Sequence, residues 1–223
     1  MSQAQRSNQL SSALPAPARV LGFRGTEALS VPYEFDVALS IPQSDADLSP
    51  LRGARARLTI ARDGTVPDYV VNGVVDAVEL FHEYKTHAVY IIRLTPALAR
   101  LHYERHSRVF TDLSIPDVVR QVLAEAGFGG EDLEIDLARS YPPREHVCQY
   151  RETNLAFFQR LLEREGITFF FRHSDEREVL VLTDHRGAHV PLLEGALDRP
   201  VSYTALNPGE VPTEEGFATF TAR

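Results

Sequence analysis
The alternation running from Val31 to Ser40 constrains the fold of this chain more than any other feature. Val31, Tyr33, Phe35, Val37 and Leu39 alternate with Pro32, Glu34, Asp36, Ala38 and Ser40, which gives a strand one apolar and one polar face. The polar face tolerates water and the apolar face requires a layer to cover it. Further β-type runs lie at residues 19–23, 56–61, 69–80 and 88–94, separated by turn residues such as Gly25, Pro42, Gly53, Asp63-Gly64 and Pro67. Five or six strands with almost no helix predict a small antiparallel barrel or sandwich over residues 18–95. Asn72-Gly73 falls inside one of these runs, where either a turn between two short strands or one bulged strand fits the flanking valines.

The pattern changes at Pro96. A short helical run carries Leu98 and Leu101. A well-signalled helix then starts at Ser114, with Ser114 as N-cap, Pro116 in the first turn and Asp117 at capping-box spacing. Ile115, Val118, Val119, Val122, Leu123 and Ala126 form one stripe before Gly127. A second helix is predicted over 153–165, with Leu155, Phe158 and Leu162 on one face, Phe157 and Leu161 beside them, Arg160 and Arg164 outward, and Gly166 as its stop. Strands over 167–173 and 178–183 follow, joined by a polar turn. The expected organisation is therefore β-rich α+β. It comprises a polar, poorly ordered lead-in at 1–17, the barrel at 18–95, an α+β domain at 96–200, and a linker or the start of a truncated second barrel at 201–223, where Phe217 and Phe220 mark a weak alternation.

A length of 223 residues fits one to two domains with a sizeable core, and 43% hydrophobic with 24% charged residues fits a soluble folded protein. The balance of 23 basic and 31 acidic residues gives −8. No stretch gathers Lys and Arg as phosphate-backbone binding requires, so nucleic acid is not an expected partner. The single cysteine, Cys148, makes no intrachain disulfide, no apolar run spans a bilayer, and the polar start of the chain does not read as a cleaved leader.

Chemistry is hard to find. His102 and His106 stand four apart, as two ligands on one helix face would, but the intervening Tyr103-Glu104-Arg105 does not match the zinc-protease order, and surface histidines are the expected reading. Asp184, His185 and His189 could coordinate a metal or form a solvated turn, and the turn is the expected reading. Cys148 with His146 would share a strand face, a conceivable thiol and base with no orienting group nearby, so a small buried thiol is expected instead. Glu163 and Glu165 point in different directions from a helix and make no acid/base pair. No nucleophile elbow, phosphate loop or dinucleotide fingerprint occurs. No enzyme activity, metal or cofactor is expected, and a hydrolase using Cys148 or the His102/His106 pair is the remote alternative.

One segment is distinctive. Gln149-Tyr150-Arg151-Glu152-Thr153-Asn154 opens it, Arg160-Leu161-Leu162-Glu163-Arg164-Glu165-Gly166 ends its helix, and Thr168-Phe169-Phe170-Phe171 follows as an aromatic strand. It resembles the signature of the VgrG family, the spike proteins of type VI secretion. Residues 23–30, Tyr33-Glu34-Phe35, Asn72-Gly73-Val74-Val75, residues 94–101 and residues 107–112 fall in that family's order as well. The resemblance implies a tail hub related to the contractile phage baseplate hub. It implies a homotrimer that adapts the threefold spike to a hexameric Hcp-like tube, and an effector or adaptor as a further partner. Residues 149–152, 160–163, 165 and 166 would be structural, with Tyr150 and Phe157 filling a core and Arg151–Glu152 or Arg160–Glu163 forming surface ion pairs. Assembly would take place in the cytoplasm, followed by secretion through the type VI machine without a cleaved signal, and membrane contact would come only through a needle this sequence lacks. A truncated, split or degenerate copy is the expectation from the missing downstream parts. The alternative within the same architecture is the hub of a contractile phage tail or phage-derived particle.

Overall fold
The computed structural model describes residues 8–11, 14, 17–42, 47–61, 67–174 and 176–189. The expectations for 201–223, including the alternation at Phe217 and Phe220, lie outside the described residues. Strands β1 (Gln9–Ser11), β2 (Arg19–Ala28), β3 (Val31–Ile41), β4 (Arg55–Ile60), β5 (Tyr69–Glu83) and β6 (Ala88–Thr95) form one antiparallel sheet in the order β1-β4-β5-β6-β3-β2. The sheet curls, and β1 and β2, at the two ends of that order, touch without pairing. Three residues of the polar lead-in thus form a strand, Gln9–Ser11, in register with Arg57–Thr59 of β4.

β3 buries the face that its alternation marks from Tyr33 onward, while Val31 at its start is exposed. Tyr33, Phe35, Val37, Leu39 and Ile41 pack with Leu58, Val71, Val75, Ile92 and Leu94. On the polar face, Arg93 of β6 stands opposite Asp36 and reaches both Asp36 Oδ1 at 2.9 Å and Glu34 Oε1 at 3.3 Å. Asn72-Gly73 is neither turn nor bulge: both residues pair in register with Arg57 and Ala56 of β4, and the register shifts of β5 come later, at Val75/Ala77 and Leu80/His82. Glycine is required at 73 because a Cβ there would stand 2.5 Å from the Thr95 carbonyl oxygen and 2.6 Å from the Tyr33 hydroxyl.

The second half begins with a 3-10 segment, Ala97–His102, and continues through β7 (Arg105–Leu113), α1 (Ile115–Glu125), β8 (Leu133–Asp136), β9 (Arg144–Thr153), α2 (Asn154–Glu165), β10 (Thr168–His173) and β11 (Glu178–Thr183). β10, β11 and β8 make a three-stranded sheet in that order, with β8 parallel to β11, while β7 and β9 form an antiparallel ribbon. Ser114 caps α1: its Oγ accepts from the Asp117 amide at 3.3 Å and donates to Asp117 Oδ2 at 2.5 Å. Thr153 caps α2 through the Ala156 amide at 3.1 Å, and Gly166 ends it in the left-handed region at φ +66°. The apolar stripes of the two helices meet Phe169, Leu180 and Leu182 in a second core.

Phe171 packs against both cores. The β2–β3 turn also ties the halves together: the Ser30 amide donates to the Phe169 carbonyl at 2.8 Å and Gln159 Nε2 donates to the Ser30 carbonyl at 3.2 Å. No helix among the described residues is long and apolar enough to cross a membrane.

Candidate functional site
The distinctive segment forms the corner where β9 turns into α2. Along β9, Val147 and Gln149 point inward, so the strand period sends Cys148 and Tyr150 outward. Tyr150 is 67% exposed and Cys148 is exposed, which corrects their expected place in the core, whereas Phe157 is fully buried. The residue inside is a glutamine, 0% exposed, and its amide is satisfied on both ends. Gln149 Oε1 accepts from Arg108 Nε at 2.8 Å, and Nε2 donates to Asn154 Oδ1 at 3.0 Å and to the Glu152 carbonyl at 3.2 Å. Buried Asn154 also accepts from Arg108 Nη2 at 3.3 Å and donates to Glu104 through both side chain and backbone. Arg108 closes the network with an ion pair to Glu125 of α1.

The expected ion pairs are rearranged. Glu152 pairs with Arg160 at 2.6 and 3.2 Å, and Arg160 Nη2 also donates to the Cys148 carbonyl at 3.0 Å. Arg151 is instead held in the left-handed region at φ +50°, its amide on Ser107 Oγ at 3.1 Å and its carbonyl accepting from Arg105 Nη1 at 3.1 Å. Leu161 and Leu162 are buried, and Glu163 is exposed. Glu165 accepts from Arg144 at 2.8 Å, and Arg139 Nη2 caps the Glu165 and Gly166 carbonyls at 2.7 and 3.2 Å.

A second cluster joins the six-stranded sheet to β10 and β11. The Tyr33 hydroxyl stands 2.6 Å from Glu178 Oε2 and hydrogen-bonds the Asn72 carbonyl, while the Ala97 amide donates to Glu178 Oε1 at 2.7 Å. Burial pushes the Glu178 carboxyl up to about 7, against the opposing bonds from Tyr33 and Ala97. When protonated it donates to Tyr33 Oη, leaving the tyrosine proton for Asn72. Burial and the Glu178 carboxylate also raise the Tyr33 hydroxyl. The Asn72 amide donates to His173 Nδ1 at 3.2 Å, so that nitrogen is the unprotonated one, and burial holds His173 down to about 4. Asn72 Nδ2 reaches the Ser174 carbonyl at 2.7 Å. Of these four side chains, the sequence singled out Asn72 for its backbone and Tyr33 for its alternation. The partners lie about a hundred or more residues away, beyond any local signal.

The other candidates do not converge. His102 ends the 3-10 segment and His106 lies on β7, so they share no helix face. His146 and Cys148 do lie on one strand face, and among the described residues no third group orients them. Asp184 accepts from the amides of Ala138 and Arg139 at 2.8 and 3.0 Å and from Tyr141 Oη at 2.8 Å. Burial alone would raise its pKa; these bonds outweigh that and hold the carboxylate well below the usual range. His185 pairs with Asp136 at 3.2 Å, and the His189 amide closes a turn on the Arg186 carbonyl at 3.2 Å. Among the described residues no three His, Cys, Asp or Glu side chains form a group able to hold a metal.

The chain and its fold have known relatives. Residues 26–223 match the phage tail baseplate hub (GPD) family. The chain belongs to that family. Among its relatives in the curated proteins, the type VI secretion system spike protein VgrG1b of Pseudomonas aeruginosa is 35% identical over 193 residues, covering 85% of this chain and 26% of that protein. VgrG3 of Vibrio cholerae is 32% identical over 201 residues, covering 86% of this chain and 19% of its own length. The chain thus spans about a quarter or less of these relatives. The hub fold is shared with Escherichia coli c3393, described as a component of the type VI secretion system with structural similarity to bacteriophage T4 tail proteins gp27 and gp5. Its TM-score is 0.76 at 26% identity, over 82% of this chain and 51% of that one. A 43 kDa tail protein of prophage MuSo2 from Shewanella oneidensis has the same fold at TM-score 0.53 and 14% identity, over 79% and 53% of the two chains. The VgrG resemblance read from residues 149–171 and the β-rich hub class both stand.

Proposed function
We propose that this chain is the tube-side part of a type VI secretion spike, a structural hub that trimerises and adapts the spike to a hexameric Hcp-like tube. The observation that carries this reading is the likeness to the spike protein VgrG1b along 85% of the chain. The architecture supports it: a curled sheet whose end strands β1 and β2 are not paired to each other offers edges for a neighbouring copy. On this reading the residues at 149–152, 160–163, 165 and 166 hold a corner in shape and perform no catalysis. The protein is assembled in the cytoplasm, carries an effector or adaptor, and leaves through the secretion machine.

Light scattering on this sequence extended by its downstream coding region should give a trimer, and an Hcp-type hexamer should co-purify with it. A strictly monomeric protein that never retains the tube protein overturns the reading. The likeness to the Shewanella prophage protein supports a second reading, the hub of a contractile phage tail. Neighbouring genes separate the two, because tail sheath and capsid genes accompany a phage hub.

A further inference from the structure
The strands that end at Thr95 and the elements that begin at Ala97 fold around separate cores. Among the described residues the chain passes from one half to the other once, at Thr95-Pro96-Ala97. Elsewhere the tie between the halves is small and largely polar. Phe171 is the one apolar side chain among the described residues that packs against both cores, its ring edge-on to Tyr33 at 5.1 Å between centroids. Hydrogen bonds supply the rest of the tie. The Ser30 amide reaches the Phe169 carbonyl, Tyr33 meets Glu178, and the Asn72 amide and side chain reach His173 Nδ1 and the Ser174 carbonyl. Tyr103 Oη donates to Asp76 Oδ1 at 2.6 Å farther along β5.

This seam is incompletely closed. A cavity of about 500 Å³ runs along it, with Gly53, Arg55 and Asn72 on the sheet side and Ala97, Arg100 and Glu178 on the other. Two buried side-chain atoms, Thr95 Oγ1 and His173 Nε2, have no hydrogen-bond partner. His173 packs edge-on against Tyr33, and Thr95 stands opposite the cavity-lining Val74, so both belong to the seam. The closed form therefore forgoes hydrogen bonds that water restores when the halves part. A region joined by few apolar contacts opens at a lower free energy than a packed core.

We infer that the seam is a hinge: the two halves part about residues 95–97 as intact bodies, widening the cavity while both cores stay folded. No partner is needed for this motion, and it stands apart from the hub reading.

The test is amide hydrogen exchange on the full chain, read residue by residue by NMR. The Ser30 and Asn72 amides lie on different strands of the sheet half and both find their acceptors in the other half. Their protection factors should agree within about threefold and lie at least about tenfold below those of Ile92 in β6 and Leu162 in α2. Low urea should speed Ile92 and Leu162 and leave the two seam amides nearly unchanged, because a hinge exposes little surface. Leu39→Ala, which removes packing from the sheet core alone, should speed Ile92 by about thirtyfold or more and the seam amides by less than about threefold. Should that variant fail to fold, the urea series on the unaltered chain decides. Seam amides that match Ile92 and Leu162, differ from each other by more than that margin, or follow Ile92 in urea or in Leu39→Ala overturn the inference.

Discussion

β3 and β9 are strands of similar length that bury one face each, yet they do it with different chemistry. β3 puts five side chains inward, none more than 4% exposed; Tyr33 alone carries a hydrogen-bonding group, and Phe35, Val37, Leu39 and Ile41 need no directional contacts. β9 puts Val147 and Gln149 inward, and Gln149 is held by three hydrogen bonds to Arg108, Asn154 and Glu152. Apolar burial is graded and tolerant of shape-conserving change, whereas a buried polar network is satisfied as a whole or is costly. The sheet is therefore built to keep its stability under substitution, and the corner to keep its geometry.

Truncation should show the contrast at its largest. Leu39→Ala should cost about 2–5 kcal/mol in urea denaturation while Leu39→Met costs under about 1.5 kcal/mol. Equal losses for both would mean that the sheet core is as exacting as the corner.

The cluster between the regions gives the next effect. Glu178 is raised to about 7, so its contribution to stability is complete below its ordinary value near 4.5 and is lost as pH rises through about 7. His173 is lowered to about 4, so its contribution is complete above 6.5 and is lost as pH falls through about 4. Each is worth up to about 3 kcal/mol with opposite slope, and the wild-type profile should be nearly flat between about 4.5 and 6.5. Glu178→Gln should leave stability that climbs with pH across that window. A variant profile parallel to wild type would show that the carboxyl is ordinary in the folded chain.

Gln149→Leu, apolar and similar in volume, should cost about 1–3 kcal/mol because it strands Arg108 and Asn154, although the same exchange at an apolar position would be benign. A neutral result would place the corner in the same class as the sheet. Gly166→Ala should cost about 1 kcal/mol, since its left-handed backbone ends α2. The smallest change should come from the surface pair, with Glu152→Gln costing about 0.2–1 kcal/mol and less at high salt.

The same chemical difference decided what could be read in the sequence. β3, both helices, the Ser114 cap, the Gly127 and Gly166 stops and the β10–β11 hairpin follow from period, capping residues and glycine, whereas Thr153, read as the first helical residue, is the cap of α2. β7 was not legible, because Arg105-His106-Ser107-Arg108 carries no apolar alternation and that stretch stays largely exposed. The aromatic ring of Tyr150 predicts a place in the core. The strand instead takes its phase from Val147 and from the network around Gln149, which leaves the tyrosine outside. The link between Tyr33, Asn72, His173 and Glu178 was invisible because its members are distant in the chain and no local rule pairs a strand tyrosine with a remote glutamate.

The parallel pairing of β8 with β11 bears on how the chain is made. β8 leaves the ribosome with its partner still unwritten: β9, α2 and β10 must all be synthesised before Leu180 can meet Leu133. At ordinary elongation speeds that wait is roughly 2–9 s. During it the second core lacks one wall, and Leu133 and Ile135, which line that core in the finished fold, stand open to wrong partners. That window of vulnerability opens once the six-stranded sheet has been made and closes only when β11 arrives.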